Sequence, residues 1–410
     1  MKTIIEKAPQ EWKTVKFNEI AKQRSVRVDD PGESGYERYV GLEHLDSGSP
    51  IVKRYGSTKD VTSSMKLFKK GDVLFARRNT YLRRCSLATF DGVCSGDIII
   101  LQPILDHIVE DFLPVFMQFE PLENRIISLS AGAFSKRIKW KQLAEEEIPL
   151  PTKEEQQKIV KTIWNIQDNI QKTKKLIETT ETLKQGLLNE LLTKGIGHTR
   201  FKDTELGRIP EEWEVESLKS ITSKITKGTT PTTYGNSFVD EGINFIKVES
   251  IDEFGKFLPE SFAYIDEDTN LMLSRSILQE NDILFSIAGA LGRVARVTQN
   301  ILPANTNQAL AIIRITEENI LHQYAQYYLS SDITQEYISK HSVKTAQANV
   351  SLTLLSKLPI FIPSKNEQLK ICAIIKKVEE NLNSYILHLE KLKNLKKKLM
   401  NKLIIGKVRV

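Results

Sequence analysis

The sequence predicts a mixed α/β fold with α+β globules, internally duplicated, with two long antiparallel coiled-coil helices. Three observations predict it. Four sequence blocks recur in the same order about 200 residues apart, β-rich runs alternate with turn residues in both copies, and two long segments carry apolar residues at heptad spacing. Together they predict a dumbbell with approximate two-fold symmetry and a globule at either end of the helix pair.

The internal repeat indicates a duplication with small insertions in the second copy. The offset between matching blocks grows from 201 to 212 residues while their order is kept. The matching blocks are PQEW and PEEW (9–12 and 210–213), YVGLEHLD and FIKVESID (39–46 and 245–252), GDVLF and NDILF (71–75 and 281–285), and PTKEEQQKI and PSKNEQLKI (151–159 and 363–371).

Each copy consists of a β-rich part followed by a long helix. Runs such as DVLFA, DIIIL, DILFSI and ALAIIRI, separated by Gly, Pro, Asn and Asp, indicate the strands of a globule. Thr152 or Ser364 follows a proline, with Glu155 or Glu367 three residues later, as in a helix capping box. The predicted domains are a first globule at 1–151, a first helix at 152–197, a second globule at 198–362 and a second helix at 363–410.

Both long segments carry the apolar seam of a coiled coil. In a register of four- and three-residue steps, nine of ten positions are apolar in the second helix and seven of ten in the first. Lys184 and Lys396 interrupt the seam at the same step, and Thr173 and Thr180 weaken it in the first helix. The alternative is that each helix packs independently on its own globule. The predicted seam residues are Ile159, Ile163, Ile166, Ile170, Ile177, Leu187, Leu191, Ile371, Ile375, Val378, Leu382, Leu389, Leu392, Leu399 and Leu403.

Length and composition exclude several classes of protein. The chain has 410 residues, 40% of them hydrophobic and 27% charged, which predicts two or three folded domains rather than a disordered or fibrous protein. No apolar run approaches the ~18 residues of a membrane span, so we expect a cytoplasmic protein. Cys85, Cys94 and Cys372 show no CxxC spacing, which argues against a disulfide framework or a zinc site. The net charge of +6 permits a polyanionic partner without requiring one.

No strong catalytic motif is found. The six histidines form no HExxH pair, there is no GxxxxGK[ST] phosphate loop, and no two prolines are adjacent, as they are in the NPPY-like element of adenine methyltransferases. Gly195 and Gly197 are interpreted as a helix stop and hinge. We therefore expect a non-catalytic chain with no metal and no cofactor of its own.

The segment ARRNTYLRRC at 76–85 is the strongest candidate for binding a polyanion. Arginine can fork onto guanine or phosphate, asparagine can pair with an adenine edge, and tyrosine can stack. The collinear segment SIAGALGRVAR at 286–296 is less basic, so the two globules need not recognise the same thing. An exposed basic hairpin without a specific role is the alternative. The candidate DNA-binding residues are Arg77, Arg78, Asn79, Tyr81, Arg83, Arg84, Lys136, Arg137, Lys139, Lys227, Thr229, Thr230, Arg293, Arg296, Asn305, Asn307 and Gln308.

In its segments and their order the chain resembles the specificity subunit of Type I restriction-modification systems. The resemblance rests on YVGLEHLDSG, FKKGDVLFARRNTYLRRCSLATFDGVCSGDIIIL, KGTTP, and the twin elements IPLPTKEEQQKI and PIFIPSKNEQLKI, and it spans essentially the whole chain. It implies two target-recognition domains, each reading one half of a bipartite site in double-stranded DNA. The helix pair would act as a ruler for the unread spacer.

The resemblance also implies partner subunits that carry the chemistry. Two methyltransferase subunits would bind S-adenosylmethionine, flip out the target adenine and modify its N6 atom. Restriction subunits would then join and supply ATP- and Mg²⁺-dependent translocation and cleavage. Polar residues flanking the seam, Glu155, Gln156, Glu367 and Gln368, become candidate contacts for the methyltransferase, and helix capping is the alternative role.

Two other functions stay open on the residues alone. The chain could be a non-catalytic coiled-coil scaffold for protein interactions whose globules never touch nucleic acid. A cryptic nuclease is the third hypothesis. Salt-dependent DNA binding would argue against the scaffold, and magnesium-dependent cutting by the chain alone would support the nuclease.

Overall fold

The computed structural model describes residues 8–132, 135–341 and 349–407 and divides the chain into two compact units. Unit 1 consists of Met1–Lys175 and Leu387–Val410, and unit 2 is Leu176–Ile386. Within the described ranges, no helix is long and apolar enough to cross a membrane.

Unit 1 contains eleven short strands among its described residues, together with four short α-helices, the beginning of one long helix and the end of another. The strands are β1 (Lys13–Lys16), β2 (Ala21–Arg24), β3 (Arg27–Val28), β4 (Arg38–Val40), β5 (Gly56–Ser57), β6 (Met65–Phe68), β7 (Val73–Ala76), β8 (Cys85–Leu87), β9 (Gly92–Cys94), β10 (Ile98–Pro103) and β11 (Glu147–Leu150). The helices are α1 (Phe17–Ile20), α2 (Phe112–Phe116), α3 (Glu120–Leu129), α4 (Trp140–Ala144) and α5 (Lys153–Thr193).

Unit 2 repeats this plan with its own strands and helices. The strands are β12 (Phe201–Thr204), β13 (Gly207–Pro210), β14 (Glu214–Ser217), β15 (Thr222–Lys227), β16 (Ile243–Ile246), β17 (Ala263–Ile265), β18 (Ile283–Ser286), β19 (Val294–Arg296), β20 (Ala304–Thr306), β21 (Leu310–Ile315) and β22 (Pro359–Ile362). The helices are α6 (Glu267–Met272), α7 (His322–Leu329), α8 (Asp332–His341), α9 (Leu352–Ser356) and α10 (Lys365–Leu403).

The sheets show the duplication directly. A four-stranded antiparallel sheet has the order β2-β10-β7-β8 in unit 1 and β15-β21-β18-β19 in unit 2. Each unit also pairs a strand near its beginning with the strand before the long helix, β1 with β11 and β14 with β22. A parallel pair, β4 with β9 or β16 with β20, belongs to a second sheet of the unit.

Strand β7 separates two hydrophobic cores because successive side chains of a strand point to opposite faces. Val73 and Phe75 lie in the larger core of unit 1, while Leu74 and Ala76 lie in the smaller one. All four residues are buried, so this strand reads as a continuous apolar run rather than an alternation.

The long helices contribute to the cores of both units. Ile159 and Ile163 of α5 share the large core of unit 1 with Met400, Leu403 and Ile404 of α10. In unit 2 the opposite ends meet, since Leu188 and Leu191 of α5 share a core with Ile371 and Ile375 of α10. The helices therefore run antiparallel, and the predicted fold class, mixed α/β with a long helix pair and internal duplication, is confirmed.

The burial pattern of the helices follows the predicted heptad register. In the described structure no seam position is exposed, including Thr173, whose Oγ1 donates to the Asn169 carbonyl at 2.8 Å. However, the seam is shared, because each end packs against a globule as well as against the other helix. Helix α5 ends at Thr193, four residues before the predicted boundary, and Gly195 follows in the left-handed region with φ of 64°.

Candidate nucleic-acid interface

In unit 1 the two predicted basic segments lie side by side. The backbone N–H of Asn79 donates to the Lys136 carbonyl at 2.8 Å, and the N–H of Ile138 donates to the Arg77 carbonyl at 3.0 Å. Arg78 and Arg137 form an isolated antiparallel bridge between these segments. The loop after β7 and the segment before α4 thus form one surface, although they are almost 60 residues apart in sequence.

Asp97 organises the two arginines of this surface. Its Oδ2 lies 3.6 Å from Arg78 Nη1 and 3.4 Å from Arg137 Nη2, while the two arginine side chains stay 42% and 47% exposed. Arg78 Nε also donates to Ser135 Oγ at 2.7 Å. One carboxylate between two guanidinium groups leaves a net positive charge, and Lys136 beside them is exposed. We define the basic surface as Arg78, Asn79, Tyr81, Lys136 and Arg137.

Asn79 and Tyr81 of the basic surface are positioned by the backbone turn that follows β7. Asn79 has φ of 53°, in the left-handed region that Asn tolerates better than most residues. It precedes the short helical turn that carries Tyr81, whose side chain is 57% exposed. An exposed tyrosine beside arginines suits stacking or sugar contact. Lys139 lies nearby in the chain, exposed, at the start of α4.

In unit 2 the structure brings together a polar surface of different composition. Thr230 Oγ1 donates to Gln308 Oε1 at 2.6 Å, and Arg275 Nη2 donates to Thr229 Oγ1 at 3.1 Å. Gly228 allows its segment to approach the backbone of Thr306 closely, since a Cβ at this position would lie 1.8 Å from the Thr306 carbonyl oxygen. We define the polar surface as Lys227, Thr229, Thr230, Arg275 and Gln308. Asn307 is half-buried beside it, with its side chain accepting from the Ala309 N–H at 3.0 Å.

Comparison with known proteins identifies the family. The family model described as Type I restriction modification DNA specificity domain matches residues 9–182 and again residues 210–397. The chain belongs to the Type I restriction-modification specificity family. The two matches place one copy of the family domain in each half of the chain, as the internal repeat predicts.

Relatives of this specificity family match along nearly the whole chain. The specificity subunit of the Type I restriction enzyme MjaVIII of Methanocaldococcus jannaschii is 26% identical, over 98% of this chain and 94% of the relative. A solved structure from a study of complex assembly in the type I R-M system covers 98% of this chain and 99% of its own, with 18% identity and a TM-score of 0.64. The S subunit from M. genitalium covers 96% of both chains, with 16% identity and a TM-score of 0.54.

Several predicted contact residues have roles inside the specificity fold. Arg84 Nη1 donates to the Leu42 carbonyl at 2.8 Å, and Arg293 Nη1 donates to the Val248 and Ile251 carbonyls at 3.2 and 2.6 Å. Burial lowers the pKa of Arg84. The two arginines precede the corresponding strands β8 and β19, so both hold a loop of their own unit.

Three further arginines are also engaged with their own unit. Arg83 forms an ion pair with Glu123 at 3.0 Å, and its Nη2 donates to Asn124. Arg296 donates to Asn281 Oδ1 at 2.7 Å. Arg77 is half-buried, and its buried Nε has no acceptor among the residues that the structure describes. These residues contribute to the fold more directly than to an exposed surface.

The prediction for Asn305 is wrong. Its side chain is fully buried, and Nδ2 donates to Asn270 Oδ1 at 2.8 Å and to the Leu273 carbonyl at 3.2 Å. An amide used inside the protein cannot reach a base edge. Asn305 lies on β20, next to the parallel strand β16, and the sequence gives no signal that separates it from the exposed Gln308.

The candidate methyltransferase contacts at the helix starts need correction as well. Gln156 and Gln368 are both fully buried, so neither offers a surface to a partner. Glu155 accepts from Trp12 Nε1 at 2.8 Å and closes the capping box with Thr152. Glu367 likewise accepts from the equivalent Trp213 Nε1, and it also accepts from His198 Nε2 and the Ile196 N–H. All four residues tie a long helix to its unit.

Sequence reasoning missed Asp97, Ser135 and Arg275, which complete the two surfaces. Asp97 follows a glycine in a turn, and Arg275 sits in a serine-rich segment, so neither stands out in the sequence. Among the described residues, no group of three or more His, Cys, Asp or Glu side chains is placed to hold a metal ion.

Proposed function

We propose that this chain is the DNA-reading subunit of a Type I restriction-modification complex and that each unit reads one half of a bipartite site. The observation that carries the proposal is the pairing of one repeated sheet frame with two different exposed surfaces. The basic surface of unit 1 and the polar surface of unit 2 lie on frames with the same strand order. Two units that share a fold but expose different side chains are suited to reading two half-sites of different sequence.

The basic surface of unit 1 suits guanine and phosphate. Arg78 and Arg137 are held in place by Asp97, which lowers the entropy lost when their guanidinium groups bind. An arginine fork on guanine O6 and N7 contributes about 1–3 kcal/mol of discrimination. Lys136 and Tyr81 add a phosphate contact and a stacking platform.

The polar surface of unit 2 suits a different pattern of base edges. Gln308 accepts from Thr230 through Oε1, which presents its Nε2 group as a donor. Arg275 is exposed and is oriented by Thr229. A donor-rich surface favours purine N7 and guanine O6 or thymine O4 as acceptors in the major groove.

The same proposal assigns the chemistry to partners. Two methyltransferase subunits would bind this chain and modify adenine, and restriction subunits would join through them. The relatives named above are subunits of Type I restriction enzymes, which supports this assembly. The chain itself would be non-catalytic, and the long helices would set the length of the unread spacer.

Co-expression with the methyltransferase tests the proposal. Sequencing of methylated adenines should give one bipartite motif. Replacing both Arg78 and Arg137 with alanine should make bases in one half ambiguous while the other half is kept, and Arg275→Ala with Gln308→Ala should do the reverse. Lys398→Ala changes an exposed residue of α10 that belongs to neither surface, and it is the control. A contiguous motif, or equal loss in both halves, would contradict the proposal.

The scaffold hypothesis is tested by salt. Phosphate contacts predict that the logarithm of the DNA affinity of the assembled complex falls by about 0.9 per contact for each tenfold rise in salt. Binding that does not respond to salt, or absence of DNA binding by the complex, would favour a scaffold.

A further inference from the structure

A cleft of about 530 Å³ in unit 1 is lined by none of the residues of the basic surface and has an unusual balance of charge. Its wall includes Lys53, Lys174, Lys393 and Lys396. In the part of the chain that the structure describes, no carboxylate lies within ion-pair distance of any of these four ammonium groups. Four uncompensated cations around one cleft favour a bound anion.

The remaining charges of the cleft are already paired. Lys397 lies 3.2 Å from Glu120, Arg83 lies 3.0 Å from Glu123, and Asp46 pairs with Arg54. Burial raises the pKa of Glu123 to about 7, which weakens its negative charge near neutral pH. The surplus in the cleft is therefore positive.

Lys396 makes this cleft a formed site rather than a patch of surface lysines. It is only 9% exposed, and its Nζ donates to Gln118 Oε1 at 2.9 Å and Gln167 Oε1 at 2.7 Å. Both acceptors are neutral, and no carboxylate among the described residues forms an ion pair with this ammonium group, although the charge of Glu123 in the same cleft partly offsets the effect of burial on the pKa of Lys396. Burying an unpaired charge is costly, and an anion would supply the missing partner.

Unit 2 provides an internal comparison. At an offset of 212 residues, Lys184 corresponds to Lys396 and Glu379 corresponds to Gln167. Lys184 lies 2.7 Å from Glu379 beside a cleft of about 420 Å³ that also contains Glu181 and Glu253. The same architecture neutralises its lysine with a carboxylate in unit 2 and leaves it uncompensated in unit 1.

We propose that the unit 1 cleft binds a small polyvalent anion carrying phosphate groups, with Lys396 at its base and Lys53, Lys174 and Lys393 at its rim. The volume lies in the range of small-molecule sites. Lysine is a common phosphate ligand, and the Nε2 groups of Gln167 and Gln171 add neutral donors. A phosphate of a DNA duplex is fixed to a wide rod, whereas a small anion can enter and reach a side chain that is nine-tenths buried.

Isothermal titration of the full chain with inorganic pyrophosphate, at constant ionic strength and pH 7, tests the site. One equivalent should bind. Gln167→Glu places a carboxylate beside Lys396, as Glu379 lies beside Lys184 in unit 2, with almost no change of side-chain shape. This variant should weaken pyrophosphate binding at least tenfold, as should Lys393→Met on the exposed rim. Lys398→Met removes an equal charge from the same helix outside the cleft and should leave binding unchanged.

A second readout ties binding to Lys396 itself. Desolvation lowers the pKa of Lys396 to about 8, so at pH 8 anion binding should take up protons. Heats measured in two buffers of different ionisation enthalpy, at saturating pyrophosphate, give the net number of protons taken up, which includes the protons that pyrophosphate itself exchanges. The wild-type chain should take up more protons than Lys396→Met, because only the wild-type chain gains the proton of Lys396. Equal proton uptake by the two chains would contradict the role of Lys396.

Other outcomes would overturn the proposal. No heat beyond that of sodium chloride, or equal weakening by Lys398→Met, would show that the cleft has no specific anion site. If pyrophosphate fails to bind while Gln167→Glu weakens binding of a DNA duplex, the lysines contact the DNA backbone instead. Because pyrophosphate binding needs no DNA, this result and the test of half-site reading can fail independently.

Discussion

At the scale of single residues, corresponding positions of the two units keep the same backbone conformation or the same ion pair but use different residues for it. Asn79 and Gly289 both follow the equivalent strands β7 and β18 with positive φ, 53° and 76°. Asp72 pairs with Arg24 on β2, whereas the equivalent Asp282 pairs with Arg314 on β21. Both units therefore keep a buried aspartate paired with an arginine at this position. The aspartate lies at the same point of the repeat in each unit, whereas the arginine comes from a different strand.

Asp282→Asn should destabilise unit 2. The Asp282 side chain is fully buried, accepts two 2.7 Å bonds from Arg314 and accepts the Gln279 N–H at 2.8 Å. Removing one partner of a buried pair costs roughly 3–5 kcal/mol of unfolding free energy. Hydrogen-exchange mass spectrometry should show faster exchange in β18 and β21. The exposed Asp240→Asn is the control, and unchanged exchange in both variants would show that the pair contributes little.

The stability of unit 1 should rise between pH 8 and about 10.5. The pKa of Lys396 is lowered to about 8 by burial, below its ordinary value of 10.5. In this window the unfolded chain binds more protons than the folded one, so the unfolding free energy increases with pH, by about 3 kcal/mol for a shift of this size. Glu123, whose pKa is raised to about 7, affects the unfolding free energy at pH values below this window.

Urea unfolding of the wild-type chain and Lys396→Met at a series of pH values measures this gain. The gain should be absent in Lys396→Met, and Gln167→Glu should also reduce it, because a carboxylate favours the charged lysine. If the wild-type chain and Lys396→Met change equally with pH, the assignment to Lys396 is wrong.

At the scale of elements, each long helix is fixed to its unit by one buried glutamine near its first turn. Gln156 Oε1 accepts the Val109 N–H at 2.9 Å, and its Nε2 donates to the Pro151 and His107 carbonyls. Gln368 makes the same three contacts with the Leu321 N–H and the Pro363 and Asn319 carbonyls. The repeated KEEQQKI and KNEQLKI blocks therefore encode a junction between helix and globule.

Gln156→Ala should loosen the first junction. The change leaves a buried N–H and two carbonyls without partners, at a cost of about 1–3 kcal/mol for each unsatisfied group. Thermal unfolding and exchange of the first turns of α5 would measure the loss. The neighbouring Gln157→Ala is the matched control, since Gln157 is exposed and should be neutral. If Gln156→Ala and Gln157→Ala show the same unfolding temperature and the same exchange, the buried glutamine does not fix the helix to its unit.

At the scale of the whole molecule, connectivity gives the long helices a second function. Helix α5 begins in unit 1 and ends in unit 2, and α10 does the reverse. With 41 and 39 residues they are about 60 Å long at ~1.5 Å per residue. Any change in their length changes the chain that connects the two proposed readers.

Adding one heptad to each helix should widen the DNA spacer without changing either half-site. Seven residues add about 10 Å, or about three base pairs at ~3.4 Å each. The insertions belong after Lys175 and after Ile386, at the boundaries between the units. Sequencing of methylated adenines gives the spacer, and a heptad in α5 alone is the control, expected to disturb the pair and abolish methylation. An unchanged spacer in the double insertion would exclude the ruler.

The sequence by itself determined the duplication, the class of each globule and the heptad register of the helices, because these depend on order and periodicity within continuous segments. The tertiary structure decided which polar residues are exposed and which side chains meet. Asn305 and Gln308 differ by three positions, yet one is buried against Asn270 and the other lies at the surface. Lys184 and Lys396 occupy the same seam step, yet among the described residues Lys184 forms an ion pair with a carboxylate and Lys396 hydrogen-bonds to neutral amides. Burial and charge compensation depend on contacts between distant segments, which no local pattern in the chain encodes.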